Sequence, residues 1–194
     1  MTAMRGVALA TAVLAAGCAT EQQLQSPPPT SLALYDGALR AVGPTGYCAA
    51  RGASQPTSGF AVFAPCSRLL GDAADPERDA VLTFQSGEPG SALVTGAVAD
   101  LVALLEGPEG GALLTVDMPV VVASVETGDD VVFVEYSELG VEVETPPPLW
   151  RAFFDIGDRL VTASIRPVEG VDLGTEAERT LVGEAVDAMR EAND

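Results

Sequence analysis

From Ser31 to Ile165 the apolar residues come mostly in short runs broken by Gly, Pro and Asp, and near the C-terminus they fall at helical spacing. Residues 38–42, 47–49, 60–64 and 80–84 carry the short-run pattern expected of strands. The first helix comes late. Thr95 precedes a run in which Val98, Leu101, Val102 and Leu105 share one side, which predicts a helix capped by Thr95 and stopped by Gly107-Pro108.

Residues 118–125 are almost uninterruptedly apolar, the composition of a strand covered on both faces, and this predicts a central place in the sheet. Gly128-Asp129-Asp130 turns that strand into residues 131–136, forming a hairpin. A second hairpin follows Pro146-Pro147-Pro148: residues 149–156, a Gly157-Asp158 turn, then residues 160–165. Side chains alternate across a strand, so Trp150, Ala152, Phe154 and Ile156 share one face, and Arg151, Phe153 and Asp155 share the other. In the last helix Thr175 and Glu178 have the spacing of a capping box, and Leu181, Val182, Ala185, Val186 and Met189 line one side. Hairpin connections make the strands antiparallel, and the helices arrive separately in sequence. The expectation is a single α+β domain over residues 31–194, a mostly antiparallel sheet covered by two or more helices.

The order of strand pairs, helix, long paired strands carrying the aromatic segment from Trp150 through Val161, and terminal helix resembles the Mog1/PsbP-like α/β/α sandwich. The resemblance implies accessory or scaffold-like proteins more often than enzymes, and it transfers no site residue.

Leu14-Ala15-Ala16-Gly17-Cys18 closes an apolar run that follows Arg5, and the segment resembles the signal peptide of bacterial lipoproteins. A spanning helix needs about 20 apolar residues, whereas this run reaches polar Thr20-Glu21-Gln22-Gln23 too soon. An ordinary secretory signal is the other reading, and Leu14 and Gly17 favour the lipoprotein pattern over it. The resemblance implies removal of residues 1–17 and a covalent lipid on Cys18, with residues 18–30 a flexible, Pro-rich tether or, alternatively, an arm packed on the domain. In the sorting rule that the resemblance implies for a Gram-negative cell, Ala19 stands where Asp would signal retention in the inner membrane. The expected address is therefore the periplasmic leaflet of the outer membrane, the outer leaflet of the inner membrane being the alternative.

Charge narrows the partners. The formal net charge is −18, with 28 acidic residues against 10 basic ones and no His. A nucleic-acid partner is excluded on electrostatic grounds, and a membrane contact needs the lipid on Cys18. With neither Lys nor His there is no Ser-His triad and no Ser-Lys pair, and no phosphate loop or dinucleotide fingerprint occurs. No cofactor beyond the covalent lipid is expected.

Three groups invite chemistry. Cys48 and Cys66 remain once Cys18 is lipidated, and an even count in an exported chain predicts a disulfide. The acids Asp72, Asp75, Glu77, Asp79, Glu126, Asp129, Asp130, Glu135, Glu138, Glu142 and Glu144 lack the spacing of a dedicated Ca²⁺ loop, so they read as a solvated face and no metal site is assigned. Trp150, Arg151, Phe153 and Phe154 read first as core, and as a possible contact surface for another envelope protein if one aromatic face is exposed. The expected function is a lipid-anchored, non-enzymatic binding or accessory domain facing the periplasm. A carrier of an apolar small molecule or lipid is the alternative, and a hydrolase using paired carboxylates is the second.

Overall fold

The structure, a computed structural model, describes residues 27–71, 76–115, 118–139 and 147–194. The first half supplies strands β1 (Ser31–Leu34), β2 (Leu39–Val42), β3 (Tyr47–Ala49), β4 (Phe60–Pro65) and β5 (Ala80–Ser86). The second half supplies β6 (Val120–Gly128), β7 (Val131–Glu138), β8 (Leu149–Ile156) and β9 (Arg159–Pro167). Four helices accompany them among the described residues: α1 (Cys66–Leu70), α2 (Val98–Glu106), α3 (Gly110–Leu114) and α4 (Thr175–Glu191).

Strands β1 and β2 form a hairpin of their own, and the other seven make one antiparallel sheet in the order β3-β4-β5-β9-β8-β7-β6. Its layers follow from side-chain alternation. Trp150, Ala152 and Phe154 of β8 join Phe63 and Phe84 in a core closed by Leu181, Val182, Ala185, Val186 and Met189 of α4. Phe153 points the other way, with Val132, Val134 and Tyr136, into a second core closed by Leu101, Leu105 and Leu114 of α2 and α3. Helices thus cover both faces, and the α+β sandwich that the pattern predicts is the observed architecture.

Both predicted hairpin turns form. Gly157 has φ +60 and Asp130 φ +50, left-handed conformations that Gly adopts freely and Asp tolerates. Arg190 near the end of α4 donates to the carbonyls of Asp129 (3.0 Å) and Asp130 (2.7 Å), fixing the first hairpin's tip to the helix.

The structure corrects several local expectations. The apolar run at 118–125 becomes β6, an edge strand: it pairs with β7 alone, its inner side serves α2 and α3, and Val121 is left 52% exposed. The centre is taken by β5, β9 and β8, whose hairpin order leaves β6 outside. Helix α1 starts directly after β4, earlier than the pattern indicates. Thr95 does not cap α2, whose N-cap is Ala97. Instead the backbone N–H groups of Leu93, Val94 and Thr95 donate to the Asp155 carboxylate at 3.0, 2.9 and 2.7 Å.

Thr175 and Glu178 do not form a capping box. Thr175 is the first helical residue, Gly174 occupies the N-cap, and the Gly174 N–H donates to Asp172 Oδ1 at 2.9 Å. At the N-terminal end, Pro29 accepts the Ala49 N–H at 2.7 Å, so the last of the predicted tether lies against β3. Among the described residues no helix is long and apolar enough to cross a membrane.

Candidate functional site

Cys18 lies outside the described residues. Cys48 and Cys66 are bonded to each other, joining β3 to the start of α1. The aromatic hairpin is not a surface: Trp150, Phe153 and Phe154 are 2%, 4% and 0% exposed. Covering both sheet faces with helices buries both faces of β8 together, so these rings are core, the first of the two readings, and the alternative of a contact patch is corrected. Arg151 is half-buried and already engaged. Its Nε donates to Ser164 Oγ at 2.8 Å, its guanidinium reaches the Leu114 carbonyl at 2.6 Å, and it lies 5.7 Å from the Tyr136 ring centre. Burial pushes the Tyr136 hydroxyl upward from its ordinary pKa.

The acids do not act as one group. Asp72, Asp75, Glu142 and Glu144 lie outside the described residues. Asp79 is buried and held by Arg68, Glu138 pairs with Arg166 at 2.6 Å, and Glu126 pairs with Arg179 at 2.8 Å. Glu135 accepts the Ser124 hydroxyl at 3.0 Å. Among the described residues no three of His, Cys, Asp and Glu are placed to hold a metal ion.

Glu178 differs from these acids. It lies on α4 in line with Val182, Ala185 and Met189, so the helix turns it inward. It is 3% exposed, and its Oε2 is buried without a hydrogen-bond partner among the described residues. Burial pushes its pKa up to about 7, and the nearby charges of Asp172 and Glu135 push in the same direction. The helical periodicity carried this signal: positions 178, 182, 185 and 189 make one stripe, and an acid stands at its head.

Around the N-terminal end of α4 lies a groove of about 810 Å³, and Glu178 is part of its wall. One side is Pro147, Pro148 and Leu149 at the start of β8. The other is the connection from β9 to α4, where Pro167 and Val171 add apolar surface and Glu169 and Asp172 add charge. Hydrogen bonds fix that connection: Val168 N–H donates to the Asp79 carbonyl at 3.0 Å, and Val171 N–H to the Val168 carbonyl at 2.9 Å. Gly170 (φ +82) and Gly174 (φ +77) supply the left-handed turns that bring it back to the helix. The volume lies in the range of about 300–1,000 Å³ usual for small-molecule sites.

No family model and no curated protein matches the chain. Among solved structures it is similar to the Saccharomyces cerevisiae Ran-binding protein Mog1p, at 16% identity and a TM-score of 0.49, over 86% of this chain and 95% of that one. A point mutant of Mog1 gives 16% identity and a TM-score of 0.48, over 84% and 93% of the two chains. The likeness is one of chain layout and says nothing of what the groove holds.

Proposed function

We propose that this chain is a lipid-anchored cell-envelope protein whose α+β domain is a non-enzymatic binding module facing the periplasm, with the groove at the head of α4 as its binding site. The binding half of that reading is carried by Glu178. Asp79, Glu138 and Glu126 each hold an arginine, whereas Glu178 is buried in a groove wall with an unpartnered oxygen. A buried polar atom left unpaired costs about 1–3 kcal/mol, a cost that an occupant of the groove can relieve. The anchor half is supported by Leu14-Ala15-Ala16-Gly17-Cys18, and the outer-membrane address by Ala19.

A photo-crosslinking residue placed at Val168 in the full-length protein, in cells, tests the site. Adducts at Val168 and none from the same residue at exposed Val121 are expected; equal labelling at the two positions would refute the assignment.

The hydrolase reading keeps one favourable observation, the closeness of Asp172 to Glu178. The Asp172 carboxylate is, however, engaged in the turn before α4. Turnover of chromogenic glycosides, abolished in Glu178→Gln, would establish the hydrolase in place of the binding module.

A further inference from the structure

We infer that the groove at the head of α4 binds a small organic cation, an ammonium or guanidinium carried on an apolar body, with Glu178 as its buried counter-ion. The inference rests on reading the domain as a binding module and names the chemistry of the ligand.

Charge decides the sign of the occupant. Among the described residues three acids, Glu169, Asp172 and Glu178, line the groove, against Arg166 alone, and Arg166 donates to Glu138 Oε1 at 2.6 Å. The N-terminus of α4 contributes roughly half a positive charge and taken by itself would attract an anion. It is outweighed by the carboxylates of Glu169 and Asp172, with Glu176 adding a third in the first helical turn. The chain as a whole, at −18, repels anions as well.

Shape and burial decide the rest. Pro147, Leu149, Pro167 and Val171 offer apolar walls, which suit a hydrocarbon or aromatic body. A wholly apolar occupant would leave the Glu178 carboxyl in the groove wall without a partner, whereas a cationic N–H donor brought against that carboxyl would satisfy it through a charge-assisted hydrogen bond. The groups facing Glu178 are Asp172 before the helix and Glu135 on β7, both acidic, and each strengthens the preference for a cation.

Because Glu178 holds its proton up to about pH 7, binding of a cation also expels a proton below that pH. The ligand retains its own proton, and the one leaving Glu178 passes to solvent.

Calorimetric titration of the protein as isolated from cells, in detergent micelles, tests the inference, with phenethylamine, phenethyl alcohol and hydrocinnamate as probes. The amine should bind at least about tenfold more tightly than the alcohol, and hydrocinnamate more weakly still. Repeating the amine titration near pH 6 in buffers of different ionisation enthalpy should show close to one proton released per amine bound, and near pH 8 almost none. Glu178→Gln should weaken amine binding by about tenfold or more while leaving the alcohol unchanged, in a protein whose circular dichroism matches the parent. Alcohol binding as tight as the amine, preference for hydrocinnamate, no amine binding, or an undiminished amine affinity in Glu178→Gln would each overturn the cation assignment. The binding-module reading has a separate fate: crosslinking at Val168 can succeed while the amine fails, and glycoside turnover would remove both.

Discussion

The guanidinium carbon of Arg179 lies 3.4 Å from the centre of the Phe133 ring, and its Nε donates to Glu126 at 2.8 Å, so one side chain joins α4 to both strands of the β6-β7 hairpin. The same guanidinium lies 5.6 Å from the Trp150 ring centre. The carboxylate partner is 47% exposed, and ion pairs in such a setting contribute about 0–1 kcal/mol. Stacking on a buried ring contributes about 1–2 kcal/mol and depends on a flat cation. Arg179→Lys, which keeps the charge and loses the plane, should therefore destabilise the domain more than Glu126→Gln does. Urea unfolding of both variants reads this, and the opposite order would assign the contact to the ion pair.

Glu178 makes stability depend on pH with a sign opposite to that of a salt-bridged acid. Its pKa is about 7 in the folded chain against 4.5 unfolded, so between those values the folded state holds a proton that the unfolded state has lost. Raising the pH through that window lowers stability, and the loss is complete above about pH 7, reaching about 3 kcal/mol. Glu178→Gln removes this term. The variant should match the parent near pH 5 and exceed it by roughly 2–3 kcal/mol near pH 8, by denaturant unfolding at the two values. A variant less stable than the parent near pH 8 would show that the carboxylate has a partner in the folded chain.

The bond between Cys48 and Cys66, eighteen residues apart, restricts the unfolded chain and ties β3 to α1 at the sheet's edge. Closing a loop of that length contributes about 3 kcal/mol. For a domain of this size the pair Cys48→Ala and Cys66→Ala should melt about 6–12 °C lower, by calorimetry. Melting unchanged by the double substitution, or by added reductant, would mean that the bond is not made in the folded protein.

The sheet was legible where one residue type did one job. Alternation in 149–156 divided Trp150, Ala152 and Phe154 from Phe153, and the structure sends these two sets to different cores. A different rule, that an unbroken apolar run marks a central strand, failed at 118–125, because an edge strand beside α2 and α3 can be as apolar as a central one, and strand order is a property of the whole sheet. Glu178 was hidden by a competing motif. Three residues after Thr175 it matched a capping box, while its place at the head of the Val182, Ala185 and Met189 stripe pointed inward; Gly174 and Asp172 had already provided the helix start. The groove could not be read at all, since Pro147 and Val171 meet only when β8 and the connection after β9 are folded side by side.

The proposed lipid anchor gives the last prediction, and its physics differs from that of most peripheral proteins. Removing residues 1–17 takes away Arg5 and no acid, leaving 9 arginines against 28 acidic residues, so an anionic bilayer repels the domain. Hydrocarbon on Cys18, at about 0.8 kcal/mol per buried methylene, would have to overcome that repulsion. Salt screens the repulsion without weakening the hydrocarbon term, so a lipidated chain should stay in the membrane fraction when washed with about 1 M NaCl and leave it only in detergent. Cys18→Ala should leave residues 1–17 attached and carry no lipid mass. Mass spectrometry of the parent should show residues 1–17 absent and added lipid mass on Cys18. An unmodified peptide crossing Gly17-Cys18 as the main species would refute the anchor, because the acidic domain by itself is repelled by an anionic bilayer.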